Sequence, residues 1–304
     1  MIVSRFAPAP TGFLHLGHVV NAIYGWGLVR AAGGCVLLRI EDHDRQRSRP
    51  SYETALLEDL EWLGFVPDGQ KTIEDLRSGR SKARQSDRAH FYREALNRLR
   101  AQGAVYACDC TRAEILAGGG TDSAGELRYP GTCRSKGLKE AEGLGIRVRL
   151  DPSVEEFDDG GHGRQEQRPD EQCGDLLVRD RLGNWTYQFA VVVDDLEQGV
   201  TFVVRGDDLL ASTGRQIQLA RLLGRGVPPR FYHHALIMKS DSQKLSKADG
   251  DTGVRDYRER GWSSAEVIGH AAFLAGLIER EAPLKAELVP TIPRLVADVR
   301  RLNL

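Results

Sequence analysis

The sequence predicts an α/β fold built on a doubly wound parallel sheet, with an inserted subdomain and a short helical C-terminal region. Three observations carry this expectation. Strand-like and helical patterns alternate over residues 1–64, the pattern breaks between about Val105 and Asn184, and helical periodicity dominates after Lys247. The expected division is 1–104 and 186–247 for the two halves of the sheet domain, 105–185 for the insertion and 248–304 for the helical end.

Met1 to Phe6 is a short apolar-rich run stopped by Pro8, Pro10 and Gly12. A helix is expected from about Leu16 to Arg30, ended by Gly33 and Gly34. Cys35 to Ile40 reads as a buried parallel strand, since it is almost continuously apolar. Pro50 opens a helix whose Leu56, Leu57, Leu60 and Leu63 share one face, with Gly64 placed to cap it. In the insertion, Gly118 to Gly120 and Gly160 to Gly163 suggest mobile loops. Regular structure resumes over Thr186 to Val193, with strands at Val200 to Val204 and Phe231 to Met238 and a helix near Ser212 to Leu223. Ser263 and Glu266 form a capping-box pattern before the final apolar helix.

The 304 residues suffice for a sizeable core and roughly two domains. With 41% hydrophobic and 28% charged residues, the composition is that of a soluble globular protein. There is no membrane-spanning run and no signal region, so a cytosolic location is expected. Five cysteines argue against a disulfide framework and leave metal binding open. A net charge of -1 excludes a uniformly basic nucleic-acid binder. Contact with RNA would need a local patch, and the densest one runs from Arg77 to Arg100; a solvated helix face explains such a run equally well.

Two short segments point to nucleotide chemistry. His15-Leu16-Gly17-His18 stands at the start of the first helix, where backbone N–H groups favour anions and a glycine admits close approach. Its imidazoles would donate to phosphate oxygens as charge develops. Lys244-Leu245-Ser246-Lys247 follows the strand near Met238, and its ammonium groups would stabilise a pyrophosphate leaving group. Either segment alone also fits an ordinary surface pair, and together they are much more specific. Cys108-Asp109-Cys110 with Cys133 is compatible on its own either with buried thiols or with zinc.

The segments RFAPAPTGFLHLGH, LLRIEDHDRQR, YQFAVVVDDLEQGVTFVVRGDDLL and KLSK resemble the class I glutamyl-tRNA synthetase family over about residues 1–250. The chain is short for a conventional member and is similar to the glutamyl-Q branch, whose members attach glutamate to the queuosine base of the tRNA(Asp) anticodon. The resemblance implies a Rossmann-type catalytic domain with an acceptor-type insertion. It implies ATP and L-glutamate as substrates, Mg2+ accompanying ATP, and the tRNA(Asp) anticodon arm as RNA partner; the chain is expected to act as a monomer. ATP would be held by His15, Gly17, His18, Lys244, Ser246 and Lys247, with His15, His18 and Lys247 as the catalytic groups. Arg5, Ala9, Glu41, Tyr187 and Arg205 would form the glutamate pocket, the arginine forks taking carboxylates and Glu41 the ammonium. Ala9 stands where the family usually has serine, and Ala248 where the lysine loop often ends in serine. The branch also carries Cys-x-Cys followed by Tyr-x-x-x-Cys, which implies one structural Zn2+ per chain on Cys108, Cys110, Tyr129 and Cys133. Three other identities remain compatible with these residues: a short synthetase charging the 3′ end, a non-catalytic paralogue, and a small-molecule nucleotidyltransferase.

Overall fold

Strands β1 (Val3–Phe6) and β2 (Cys35–Leu38) pair in parallel and are linked by helix α1 (Leu16–Ala31). The computed structural model describes residues 1–69, 72–121, 127–240, 243–244 and 253–304. Helix α1 buries residues on every side, including Val19, Val20, Ile23, Trp26 and Leu28, as a helix enclosed between other elements must. Helix α2 (Pro50–Leu63) has proline in its first turn and is closed by Gly64 at φ 86°, a left-handed conformation that favours glycine. Helices α3 (Thr72–Ser78) and α4 (Ala89–Ala101) lead into the middle of the chain.

There, β3 (Val105–Cys108), α5 (Arg112–Gly119), β4 (Gly145–Val148), β5 (Glu155–Asp159), β6 (Gly163–Gln167), α6 (Pro169–Gln172) and β7 (Leu176–Arg179) follow one another. The antiparallel sheet β3-β4-β7 stands by itself, whereas β5 and β6 join a second sheet. That sheet has the order β6-β5-β9-β8 and is completed after helix α7 (Tyr187–Glu197) by β8 (Phe202–Gly206), helix α8 (Thr213–Leu222) and β9 (Arg230–His234). Strands β8 and β9 are parallel, β5 meets β9 in parallel at one position, and β5-β6 is antiparallel. After β10 (Met238–Ser240) and β11 (Gln243–Lys244) come α9 (Val254–Glu259), α10 (Ser264–Leu274) and α11 (Pro293–Leu302).

The α/β class is therefore observed: one parallel βαβ unit, β1-α1-β2, forms a two-stranded sheet, and a second, β8-α8-β9, lies in the mixed sheet β6-β5-β9-β8. The strand predicted over Phe231 to Met238 stops at His234. Alternation along β9 sends His233 toward β5 and α8, and His234 toward Tyr24 of α1, on which it stacks at 4.6 Å. Each glycine run contains a position of close backbone approach. A Cβ on Gly161 would lie 1.9 Å from the His233 carbonyl oxygen, and one on Gly119 would lie 1.9 Å from that of Arg128. At these two positions a side chain would have no room.

Two apolar cores flank the parallel units. One encloses α1 with α2, α10 and α11 through Ile23, Leu28, Leu56, Val267 and Leu295. The other joins α4, α7 and α8 to β4 and β7 through Tyr92, Leu99, Phe189, Val148 and Leu219. Among the described residues, no helix is long and apolar enough to cross a membrane.

Candidate active site at the seam between two parallel units

β1 and β8 are tied together at their beginnings by backbone hydrogen bonding. The Thr201 N–H donates to the Val3 carbonyl at 2.9 Å, and the Val3 N–H donates to Thr201 Oγ1 at 2.9 Å. Helix α1 leaves β1 toward the first core and α8 leaves β8 toward the second, so a crevice is expected beyond the ends of the two strands. Arg5 on β1 and Arg205 on β8 are both buried at this seam, and Arg5 Nη1 reaches across it to the Val204 carbonyl at 3.4 Å.

Arg5 is held by Asp195, whose Oδ1 accepts from Arg5 Nε at 3.0 Å and from Arg39 Nη1 at 2.7 Å. Arg39, fully buried at 0% exposure, also donates to Glu41 Oε1 through Nε at 3.3 Å and Nη2 at 3.0 Å. The Glu41 N–H donates to the Pro8 carbonyl at 3.0 Å, which ties this carboxylate to the residue beside Ala9. Burial opposes ionisation of Asp195, but Arg5 and Arg39 outweigh it and hold the carboxyl below the usual carboxylate range. Half-buried Tyr187 begins α7 and shares its electrostatic surroundings with Glu41, Arg205, Arg5 and Asp195. Burial and Glu41 lead in raising its hydroxyl above the ordinary tyrosine range, so the phenol stays protonated. Of the five residues expected to form the glutamate pocket, Arg5 and Glu41 are joined through Asp195 and Arg39, Tyr187 feels the charges of Arg5, Glu41 and Arg205, and half-buried Ala9 sits at the β1–α1 turn.

His15 caps α1. Its Nδ1 accepts from the Gly17 N–H at 3.1 Å, while His18 Nδ1 accepts from the His15 N–H at 3.1 Å. Both Nδ1 atoms are acceptors, so in each neutral ring the proton sits on Nε2. The rings lie 4.0 Å apart. A Cβ on Gly17 would lie 2.8 Å from His15 Cε1, so this glycine makes room for the imidazole as well as for any ligand. The Gly17 N–H is already used by the cap of α1. Beyond the lysine segment, Gly253 bridges to His15 and the Val254 N–H donates to the Leu14 carbonyl at 2.8 Å. Lys244 lies in β11 by its backbone, whereas Ser246, Lys247 and Ala248 fall outside the described residues.

A cleft of about 630 Å³ runs from Tyr187, Gln188 and Arg215 to Cys108, Cys110 and Tyr129. At its far end the sulfurs of Cys108, Cys110 and Cys133 lie within 4.8 Å of one another, and His162 is not part of this group. The Tyr129 hydroxyl is 3.5 Å from Cys108 Sγ and 4.0 Å from Cys110 Sγ. Zinc–sulfur bonds of about 2.3 Å place tetrahedral sulfurs somewhat under 4 Å apart, so the donor set fits such an ion. All five cysteines are free thiols. Burial works against the Cys108 thiolate, yet hydrogen bonds from Tyr129 and Arg147 bring its pKa below the ordinary value. Cys35, expected in the core, is only half-buried, and the Cys173 thiol donates to the Pro169 carbonyl at 3.2 Å.

The Arg77 to Arg100 run is a poorer RNA track than its sequence suggests. Arg77 pairs with Glu61, Arg84 with Glu53, Arg98 with Glu197 and Arg100 with Glu140, and Arg88 is buried on Asp194. These acids come from distant parts of the chain. Also missed in sequence were Arg39, Asp194, Asp195, His233 and Asp159. Arg39, Asp194 and Asp195 carry one visible signal, charge set into or beside apolar runs, as in CVLLRI and VVVDD.

The family model for class I tRNA synthetases (E and Q), catalytic domain, matches residues 1–279. The chain is 42% identical to the glutamyl-Q tRNA(Asp) synthetase of Symbiobacterium thermophilum, over 95% of this chain and 92% of that one. It is 40% identical to the protein of that name from Rhodobacter capsulatus, over 88% and 98%. A crystal structure of glutamate-tRNA synthetase from Elizabethkingia anophelis superposes with a TM-score of 0.77 at 27% identity, covering 97% of this chain and 66% of that one. With its seam, histidine cap and cysteine cluster, the chain belongs to the E and Q family of class I tRNA synthetases and is, like its members, a ligase.

Proposed function

We propose that the chain activates L-glutamate with ATP and transfers it to the queuosine base in the anticodon of tRNA(Asp), acting in the cytosol as a monomer. The observation that supports the amino-acid assignment is the burial of Arg5 and Arg205 on β1 and β8, with Glu41 and Tyr187 in their electrostatic surroundings. Two guanidinium groups suit the two carboxylates of glutamate, and one carboxylate suits its ammonium group. In the first step a glutamate carboxylate oxygen attacks the α-phosphate of ATP and pyrophosphate leaves. His15 and His18 donate through Nε2 to the transferring phosphate, and Lys247 neutralises the departing charge. Mg2+ enters with ATP as part of the substrate. A hydroxyl of the RNA then attacks the activated carbonyl and AMP leaves. Zinc held by Cys108, Cys110, Cys133 and Tyr129 supplies structure to the insertion and takes no part in either step.

Glutamate-dependent ATP–pyrophosphate exchange should proceed without tRNA, and a lack of exchange above background with every amino acid tried would sink the proposal. Arg205→Ala should lower kcat/KM for glutamate roughly 10- to 150-fold, corresponding to about 1.5–3 kcal/mol for a lost charge-assisted contact. ATP affinity should hardly change. For the acceptor, radiolabelled glutamate should enter tRNA from queuosine-containing cells and not tRNA from cells lacking it. Equal labelling of both pools, or labelling abolished by periodate oxidation of the 3′ end, would instead favour ordinary 3′ charging. That outcome agrees with the names of the longer glutamate–tRNA ligases the chain also matches.

A further inference from the structure

Arg205 stands at the end of a buried polar chain that the pocket assignment leaves unexplained. Its Nε–H donates to His233 Nε2 at 2.9 Å, and His233 Nδ1 lies 2.5 Å from Asp159 Oδ2. The side chains of His233 and Asp159 are both fully buried. A guanidinium has only donors, so Nε2 is the unprotonated ring nitrogen and Nδ1 carries the proton. Asp159 selects that tautomer, and its own orientation is fixed at Oδ1 by the N–H groups of Gly161, His162 and His233 at 2.9, 3.1 and 3.2 Å. The tight Gly161 turn therefore acts as the clamp for the carboxylate. On its other side Arg205 Nη1 donates to Gln216 Oε1 at 2.8 Å and Nη2 to Thr213 Oγ1 at 3.0 Å.

We propose that Asp159 and His233 are positioning residues that hold the Arg205 guanidinium in the orientation that receives a substrate carboxylate. This rests on the glutamate pocket proposed above. The ring must be neutral for the purpose, since a proton on Nε2 would face the Arg205 Nε–H with another donor. Burial keeps it so, lowering the basicity of His233 below the ordinary imidazole range with help from Arg205, while Asp159 pulls the other way. A purely structural role would stabilise the fold without distinguishing one substrate from the other.

The test is pyrophosphate exchange by the full chain, with glutamate and ATP varied separately. His233→Leu removes the acceptor and should raise KM for glutamate by about tenfold or more, the scale of one lost buried hydrogen bond. KM for ATP should stay within about twofold. His233→Gln, whose Oε1 can accept from Arg205, should restore most of the glutamate KM. Equal behaviour of the two variants, or parallel changes in both KM values, would overturn the proposal. If the leucine variant does not fold, Asp159→Asn carries the test. Its amide can donate to Nδ1 and move the ring proton to Nε2, the wrong tautomer for Arg205. An unchanged glutamate KM in that variant overturns the proposal as well. Loss of glutamate-dependent exchange in the wild type would remove the pocket itself, whereas normal wild-type exchange with unaffected variants removes only the positioning role.

Discussion

Asp195→Ala is expected to destabilise the protein by about 3–5 kcal/mol, the cost of stripping one partner from a buried ion network. The carboxylate bonds Arg5 and Arg39 together, and Arg39 has no exposed surface. With it gone, two guanidinium groups share the remaining buried carboxylates Glu41 and Asp194, the latter 3.8 Å from Arg39 and already taken by Arg88. Asp195→Asn keeps the volume and loses the charge, so it should be destabilising by a smaller amount. The pH dependence has a definite sign. The folded-state pKa of Asp195 is depressed, so its contribution is present above the unfolded carboxylate value of about 3.9 and is lost as pH falls through the folded value. The gap between wild type and variant should accordingly close in acid. Urea unfolding at neutral and acidic pH measures both effects, and a neutral-pH loss under about 1 kcal/mol would mean that the network is not acting as a unit.

Cys133→Ser is expected to take bound zinc from one ion per chain to nearly none and to loosen the sheet β3-β4-β7. Structural zinc sites bind with apparent free energies on the order of 10 kcal/mol or more, and that energy is available to folding only when the metal is present. The second core already holds β4 and β7, so the loss should fall mainly on the small cluster of Tyr106, Cys108, Ile115, Tyr129 and Cys133, the same residues that surround the sulfurs. Elemental analysis gives the stoichiometry, and hydrogen exchange over residues 105–148 reports the loosening. Full zinc retention in the variant would point to another ligand. His162 would be the first to examine, although it sits on the β5–β6 turn and outside the sulfur group. Chelation of the wild type should disorder this region before it affects glutamyl-adenylate formation.

The local elements were legible because their signals are local. Pro50 and Gly64 bound α2, and Ser263 with Glu266 caps α10, as periodicity and capping chemistry require. Sheet assembly was not, because nothing in the run Glu155–Asp159 announces that it will cross to β9 rather than stay with β3 and β4. Charge was misread for the same reason. Arg84 and Arg100 look like a cationic stripe in sequence, and only folding brings Glu53 and Glu140 to them. At the candidate site, Arg5, Glu41 and Arg205 were named from family likeness. Of the groups that orient them, Arg39 and Asp195 lie within the quoted segments without a role attached and His233 lies outside them, and all three emerge only as buried partners.

The helices after Gly253 bear on how fragments of this family are recognised. Helices α10 and α11 and the turn at Ala286–Thr291 pack on α1, the helix that begins at the histidine cap, and the Arg230 guanidinium donates to the carbonyls of Leu302 and Asn303 at 3.2 and 3.0 Å. A gene copy interrupted soon after the lysine segment would retain every signature by which such a ligase is identified. Its product would nevertheless expose the flank of α1 that Val267, Val289 and Leu295 normally cover, a continuous apolar surface prone to aggregation. A search by signature would count that pseudogene as an enzyme. A search that also asked for an apolar cover on α1 would discard it.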